Sequence, residues 1–600
     1  MVLAVALAAS VTALRNGFVY DDVQVIVENP LLHDLGGLPR TLASPYWSPT
    51  VLDRLYRPLT SASFSVDWAL GGGRPLSFHA TNLTLHLAVT ALVLALGGLL
   101  LGPGAVVAAL WFAVHPVHVE VVANAVGRSE LLVAAGYVGA VLAYVAEGRV
   151  ARTRPAGAVR AALSAAVLVC AAAAIGAKEH ALSLAAALLA ADGWVAWRER
   201  RRFSEVVRGH AILWAGVVAL SVGYLALRSR VLETTFGAGA VGAGLFGLGP
   251  AERAMVMLPV VLTWARLLVF PLHLSADYAP NVLVPETTFG PHHAAVIALL
   301  LAVAAGGWLL RRRAPGALGG VAWFAITVAV SSNVVLPTGV LFAERLLYLP
   351  SVGAALAVGA LWELLPAHRA VWPLTAAALA LLGARTLARI PVWSTPERFF
   401  AARASDARDS YRTHWQRGGE AFAQGDADGG EREMLEAVRI WPYDPELLEE
   451  IGGRYLSAGL YGPADRFSTA AYRLDSTRTA AATRAVLARW QDGHPDSALA
   501  LADEVVKREP PPADVALAAL AVYREIDRPR RALSLARRLV FRDSRLAAYQ
   551  MVAAEAASRA GLCTEARERL ERAVTLARDE RGRAEARRQL DALAACRESR

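Results

Sequence analysis

Two adjacent carboxylates, Asp21 and Asp22, follow directly on an apolar run that ends at Leu14, in the stretch RNGFVYDDVQVIVENP. Side-by-side acids repel one another, and the only cation close by in sequence is Arg15. Such a pair needs partners or a task. More ionisable residues stand beside later apolar runs. YRPLTSASFSVDWAL carries Arg57 and Asp67, and HATNLTLH carries His79, Asn82 and His86. These last three fall at i, i+3 and i+7, on one face of a helix. FAVHPVHVEVVANAVGRSELL supplies His115, His118, Glu120, Asn124, Arg128 and Glu130. GAKEHAL adds Lys178, Glu179 and His180, and LFAERLLYLPSVG adds Glu344, Arg345 and Tyr348.

A carboxylate just beyond a membrane span is at the right depth to take a proton from a hydroxyl that attacks a lipid-borne group. A departing phosphate then needs fixed positive charge, for which Arg128, Lys178 and Arg345 are candidates, with Glu130 and Glu344 orienting the cations or histidines. Asp21 and Asp22 need not share a role: one can be the base while the other holds a metal or sugar hydroxyls. Each residue alone has a plainer reading. Asp21 can cap the next turn, His79 and His86 can be satisfied polar groups at a helix end, and Arg57 and Arg128 can be interfacial anchors. The His115/His118/Glu120 spacing resembles a zinc site, but Pro116 intervenes and no third firm ligand follows. Taken together, acids, histidines and cations from distant connections point to a catalytic site fed by a lipid.

The elements that must position these residues are apolar. The chain has 600 residues, 55% hydrophobic and 19% charged, with mean hydropathy +0.38. That balance is one of a polytopic membrane protein. The net charge of +9 does not indicate nucleic acid: up to residue 390 the basic residues sit mostly in short loops, where topology requires them, and afterwards they alternate with acids. Apolar runs fall at 1–15, 80–101, 104–122, 131–146, 161–177, 180–197, 211–227, 254–271, 293–310, 320–337, 351–365 and 371–387. EGRVARTRPAGAVR, RERRRFSEVVRGH and RRRAPG are the basic connections, which the positive-inside rule makes cytoplasmic. The last two lie on one side only if 254–271 is re-entrant or interfacial, which leaves about eleven spans. The loop 16–79, every connection named above and HLSADYAP then lie outside, as does the chain after 390. The first run is short for a span and lacks a basic leader; either it extends through Phe18 or the true start lies upstream. Cys170 sits in an apolar run, while Cys563 and Cys596 would pair only in an oxidising compartment; two unrelated small residues is the simpler expectation.

From 391 to 600 the chain reads as a soluble repeat array. Ala464, Ala498, Ala532 and Ala566 are 34 residues apart, and Ala471, Val505, Leu539 and Ala573 keep the same phase. A 34-residue period with small residues at a helix–helix contact is the tetratricopeptide signature. The stretch with Trp415 and Phe422 opens the array about one repeat earlier. Such arrays bind extended peptides or proteins.

Taken in order, FVYDD, YRPLT, HATNLTLH, FAVHPVHVEVVANAVGRSELL, KEHAL and ERLLYLPSVG, ahead of a repeat tail, resemble the transmembrane and tetratricopeptide repeat-containing O-mannosyltransferases and their bacterial homologues. That family is similar to the C-type glycosyltransferases (GT-C), membrane enzymes that use polyprenyl-phosphate sugars. The resemblance implies an all-α chain with a glycosyltransferase-like membrane domain over 1–390 and a tetratricopeptide solenoid over 391–600. It implies Asp21 and Asp22 as the catalytic acidic residues. Arg57, His79, His86, His115, His118, Glu120, Arg128, Glu130, Lys178, Glu179, His180, Glu344 and Arg345 are the candidates for binding the donor phosphate or substrate. The implied donor is a polyprenyl-phosphate sugar, with mannose expected; the acceptor is a protein or peptide held by the array; a divalent metal is left open. The implied setting is the bacterial inner membrane, with the array periplasmic. Two other classes compete. A lipid-linked sugar transporter would bury ionisable groups in mid-span and show internal repeats, and neither is seen. A membrane-anchored adaptor would not need convergent ionisable loops.

Overall fold

The computed structural model describes residues 1–48, 55–153, 157–233, 242, 244–245, 247–334, 337–365, 368–508, 510–577 and 579–593. Among them there are helices and turns and no strand. In lipid a segment must satisfy its own backbone, which leaves the helix as the solution for Ala/Val/Leu runs of this length. Proline starts many of these helices, at Pro58, Pro75, Pro250, Pro291 and Pro315. Its missing N–H costs nothing in the first turn, and its fixed φ suits a helix.

Eight described helices are long and apolar enough to cross a membrane: Pro75–Leu100, Ala125–Ala151, Ala158–Ala177, Glu179–Glu199, Ala211–Leu232, Pro291–Leu310, Glu344–Trp362 and Val371–Trp393. A ninth is the bent pair Gly104–Val114 and Pro116–Ala123, which turns through 49°. The bend lies at Pro116, whose ring interrupts the helix ladder, and His115 Nδ1 accepts the N–H of Val117 across it, 3.3 Å away. The shorter apolar helices Val2–Arg15 and Pro315–Ala329 bring the apolar segments to eleven. The run 254–271 is broken into Pro250–Met257 and Val260–Val269, each too short to cross about 30 Å of hydrocarbon.

Several of these helices meet through glycine. A Cβ on Gly353 would come within 2.3 Å of the Gly320 carbonyl oxygen, and one on Gly104 within 2.2 Å of the Gly359 carbonyl oxygen. Small residues allow such close approach where no water drives the helices together. Pro315–Ala329 and Gly104–Val114 thus both pack on Tyr348–Trp362.

The chain divides into two compact units, 1–413 and 414–600. The boundary expected at 390 moves because residues 390–412 are packed into the first unit. Ile390, Trp393 and Phe399 form one apolar cluster with Val19, Val119 and Val122. Asp277 accepts the Ser410 hydroxyl at 2.5 Å and lies 3.6 Å from an Arg412 guanidinium nitrogen.

The second unit is a helical array. Its helix pairs begin with Tyr411–Ala423, which enters the unit at His414, and Ala427–Ile440, and later pairs start at Pro445, Thr479, Ala513 and Ala547. The second helices start at Ala427, Tyr461, Pro495, Pro529 and Cys563. Both sets keep the 34-residue period, and Ala464, Ala498 and Ala566 are fully buried at the contacts. Between the two helices of each pair one residue turns left-handed: Gly425, Gly459, Gly493, Asp527 and Gly561. A helix Glu580–Ala592 follows the last pair. Cys170 is free; Cys563 is disulfide-bonded, and Cys596 lies outside the described residues.

Candidate active site

The opening aspartates part company in the structure. Asp22 is fully buried. Its Oδ2 accepts the backbone N–H of Val19 at 3.1 Å and of Ala125 at 3.3 Å, and its Oδ1 accepts that of Val126 at 2.8 Å. Burial pushes this carboxyl up to about 7, while the three backbone donors pull the other way. Asp22 therefore ties the loop after the first helix to the turn that opens the helix Arg128–Thr153. Asp21, half-buried, lines a cavity of about 340 Å³.

Cations surround that cavity. Arg57, Lys178, Arg228 and Arg345 all line it, together with Glu179, His180, Tyr20, Tyr46 and Tyr224. Glu179 is shared: it accepts from Arg57 Nε at 3.2 Å and from an Arg228 guanidinium nitrogen at 3.2 Å. Arg57 also lies over the Tyr46 ring, 5.0 Å from its centroid. Lys178 is paired with Glu130. Arg345 contacts Glu120 Oε1 at 2.5 Å, and its backbone N–H donates to Glu120 Oε2 at 2.9 Å. Of the expected site residues, then, Asp21, Arg57, Lys178, Glu179, His180 and Arg345 share one cavity, with Glu130 and Glu120 behind two of the cations.

The remaining candidates are placed elsewhere. Arg128 is 0% exposed and does not line the cavity. It lies 2.5 Å from Asp67, donates to Asn82 Oδ1 at 2.9 Å and to the Phe78 and Ser63 carbonyls at 2.7 and 3.2 Å. A cation this fully engaged by protein is a structural anchor, and its expected role toward a phosphate gives way to that one. His79 meets the Gly17 carbonyl at 3.2 Å, and His86 meets the Tyr348 hydroxyl at 2.9 Å. His118 meets Ser351 Oγ at 2.8 Å and His115 the Leu268 carbonyl at 3.2 Å. These four histidines are buried polar joints between helices, and His115, His118 and Glu120 face different partners. Among the described residues no group of three or more His, Cys, Asp or Glu side chains is placed to hold a metal. Glu344 Oε1 accepts from the Tyr278 hydroxyl at 2.8 Å and the Ser275 N–H at 2.7 Å. That contact brings HLSADYAP to the helix end that carries Glu344 and Arg345.

Arg228 is the residue that the sequence reading passes over. It falls one position beyond the apolar run 211–227 and reads as a span terminus. An arginine there that is 8% exposed is a costly placement without a partner or a task, which is the signal that marks it.

Fold and cavity together define a polytopic helical membrane protein that carries a tetratricopeptide array and a pocket in which cations surround Asp21. Its relatives have a name. The chain is similar to TMTC protein O-mannosyl-transferases: it is 34% identical to human "Protein O-mannosyl-transferase TMTC3" over 149 residues, 24% of this chain and 16% of that protein. It is 25% identical to Caenorhabditis elegans "Protein O-mannosyl-transferase F38B6.6" over 445 residues, 72% of this chain and 61% of that protein. Drosophila melanogaster "Protein O-mannosyl-transferase Tmtc2" is 36% identical over 180 residues, 28% of this chain and 19% of that protein. The matched stretches cover less than two thirds of each of these relatives. No protein-family model matches the chain. Among solved structures, the MamA protein aligns over 30% of this chain and 96% of its own length at 18% identity, with a TM-score of 0.26. A thermophilic tetratricopeptide protein of Thermus thermophilus aligns over 31% and 99% at 17% identity, with a TM-score of 0.23. Scores this low carry no argument, and the array stands on its own helix pairs.

Proposed function

We propose that the chain is a membrane glycosyltransferase of the GT-C type that moves a sugar, mannose, from a polyprenyl phosphate to a hydroxyl of a protein on the non-cytoplasmic side. The observation that carries this reading is the single cavity in which Asp21 stands among Arg57, Lys178, Arg228 and Arg345. In the proposed reaction the Asp21 carboxylate takes the proton of the acceptor hydroxyl as its oxygen bonds to the anomeric carbon. The bond from that carbon to the phosphate oxygen breaks, and the electron pair leaves with the phosphate. The cations then hold the charge that develops there. Asp22 holds Asp21 in place and touches neither substrate. The names of the relatives support the sugar and the protein acceptor, and the repeat unit supports a protein partner, since such arrays bind extended chains. The disulfide at Cys563 supports a non-cytoplasmic array, because disulfides persist in oxidising compartments.

The test separates the two aspartates. Purified Asp21→Asn, given a radiolabelled polyprenyl-phosphate mannose and an acceptor peptide, should lose transfer by about 100-fold or more, the usual share of a general base, with an unchanged melting temperature. Asp22→Asn should change the melting temperature first. Full transfer by Asp21→Asn would end the assignment of the base.

A further inference from the structure

A second cavity lies away from Asp21. It measures about 660 Å³ and is walled by Arg149, Arg160, Arg198 and Arg201 together with Asp192 and His210. Two helices connect it with the candidate active site. Ser129 lines the first cavity and Arg149 the second, both on Arg128–Thr153; His180 and Arg198 do the same along Glu179–Glu199. About twenty residues of helix at 1.5 Å each span about 30 Å, the thickness of a bilayer's hydrocarbon core. The two cavities therefore sit at opposite ends of the helices.

The acids of this second cavity are occupied by protein groups. Asp192 accepts from the Tyr144 hydroxyl at 2.8 Å and from Trp214 Nε1 at 3.3 Å, and lies 3.0 Å from His210 Nδ1. Glu147, 1% exposed behind the wall, takes Arg160 Nε at 2.6 Å and has His210 Nε2 at 3.3 Å. Glu199 reaches Arg201 only loosely, at 3.9 Å. Arg149 and Arg198 are exposed at the rim, the first donating to the Leu99 carbonyl and the second 5.9 Å from the Trp194 ring centroid. The open face thus carries positive charge over neutralised acids.

A second feature gives that face its ligand. An apolar groove of about 310 Å³ continues from the cavity between the helices, and the two share Leu100, Val145, Ala191 and Trp194 in their walls. Farther along, the groove is lined by Trp197, Gly319 and Trp323. An arginine rim that opens into an apolar groove at membrane depth matches a molecule with an anionic head and a hydrocarbon chain. We propose that this is a binding site for an anionic phospholipid, its negatively charged head on Arg149 and Arg198 and one chain in the groove beside Trp194. The site is separate from the donor site and does not depend on the reaction proposed there.

Native mass spectrometry of the full-length protein in detergent tests it, with phosphatidylglycerol and phosphatidylcholine of identical chains offered at equal concentration. The wild type should retain phosphatidylglycerol about tenfold better, in keeping with the attraction of a pair of basic side chains for an anionic lipid. Arg149→Gln with Arg198→Gln should bring the two lipids level. Gly319→Leu, which fills the groove, should lower retention of both. Equal retention of the two lipids by the wild type would overturn the proposal without any variant. So would a preference that survives loss of both arginines in folded protein. Inorganic phosphate that displaces the lipid as well as excess phosphatidylglycerol does would make this a free-anion site and overturn the lipid assignment.

Discussion

In the repeat unit each structural device returns 34 residues later. The helix starts, the buried alanines and the left-handed turn residues Gly425, Gly459, Gly493 and Gly561 all keep that phase. Among the described residues of the membrane unit nothing of the kind recurs. Arg128 is held by Ser63, Asp67, Phe78 and Asn82; Glu179 by Arg57 and Arg228; Asp22 by three backbone donors. Each arrangement is used once, and most join segments far apart in sequence. The contrast teaches where damage spreads. Repeat stability is close to a sum of local and nearest-neighbour terms, so losing one copy of a device costs one term. A buried charge whose partner is removed has no second copy to fall back on.

The largest effect should therefore come from breaking a singular pair. Arg128→Ala should destabilise the membrane unit by about 3–5 kcal/mol, because Asp67 is left buried and uncompensated. The reading is the thermal unfolding of detergent-solubilised protein. A loss below about 1 kcal/mol, a value typical of an exposed pair, would break the comparison.

Asp22 gives the next effect, and its sign is fixed by burial. Its carboxyl titrates near 7 in the folded chain and near about 3.9 when unfolded. The folded state holds the proton more tightly. The stability this contributes is thus complete below about pH 4 and is lost as pH rises through about 7. At about 1.4 kcal/mol per pH unit the change amounts to a few kcal/mol at most. Asp22→Asn should flatten that part of the stability profile of the solubilised protein. A wild type whose stability rises over the same window relative to Asp22→Asn would reverse the assignment.

The array should respond more gently. Gly493 has φ of +82°, so Gly493→Ala should cost about 1–2 kcal/mol, the strain of a left-handed residue with a Cβ. Chemical denaturation of the repeat unit in the full chain reads it. Asp527 occupies the same turn position with φ of +51°, and Asp tolerates that region. Asp527→Gly relieves residual strain but loosens the unfolded chain, and should stay within about 0.5 kcal/mol of neutral. A larger loss would give Asp527 a task that its repeat counterparts lack.

The same contrast decides what could be read in the sequence. Periodic features announce themselves, so the 34-residue phase, the helix pairs and the opening of the array near Trp415 were legible. The left-handed glycines were an unused second signal in the same phase. Apolar runs also gave the helices of the membrane unit, whereas 254–271, expected to be re-entrant or interfacial, is divided into two short helices. The connections that carry the site were legible as connections, and their division of labour was not. Asp21 and Asp22 look alike until backbone donors 103 and 104 residues away select Asp22. Arg128 and Arg345 each follow a polar break between apolar runs, yet Arg128 is closed off beside Asp67 while Arg345 lines the cavity. The boundary at 413 depends on Asp277 meeting Ser410 and Arg412, a contact across more than a hundred residues that no local pattern encodes.

The three backbone donors on Asp22 bear on timing as well as on stability. The residue next to Asp21 is fastened at both carboxylate oxygens to the segment that begins a long helix. The backbone that carries Asp21 is therefore set when the chain folds, before any substrate arrives. Orientation already secured by folding does not have to be recovered from substrate binding. Under the proposed function, transfer should be slowed by what the reactants must do to reach Asp21, and not by a search of its backbone for position.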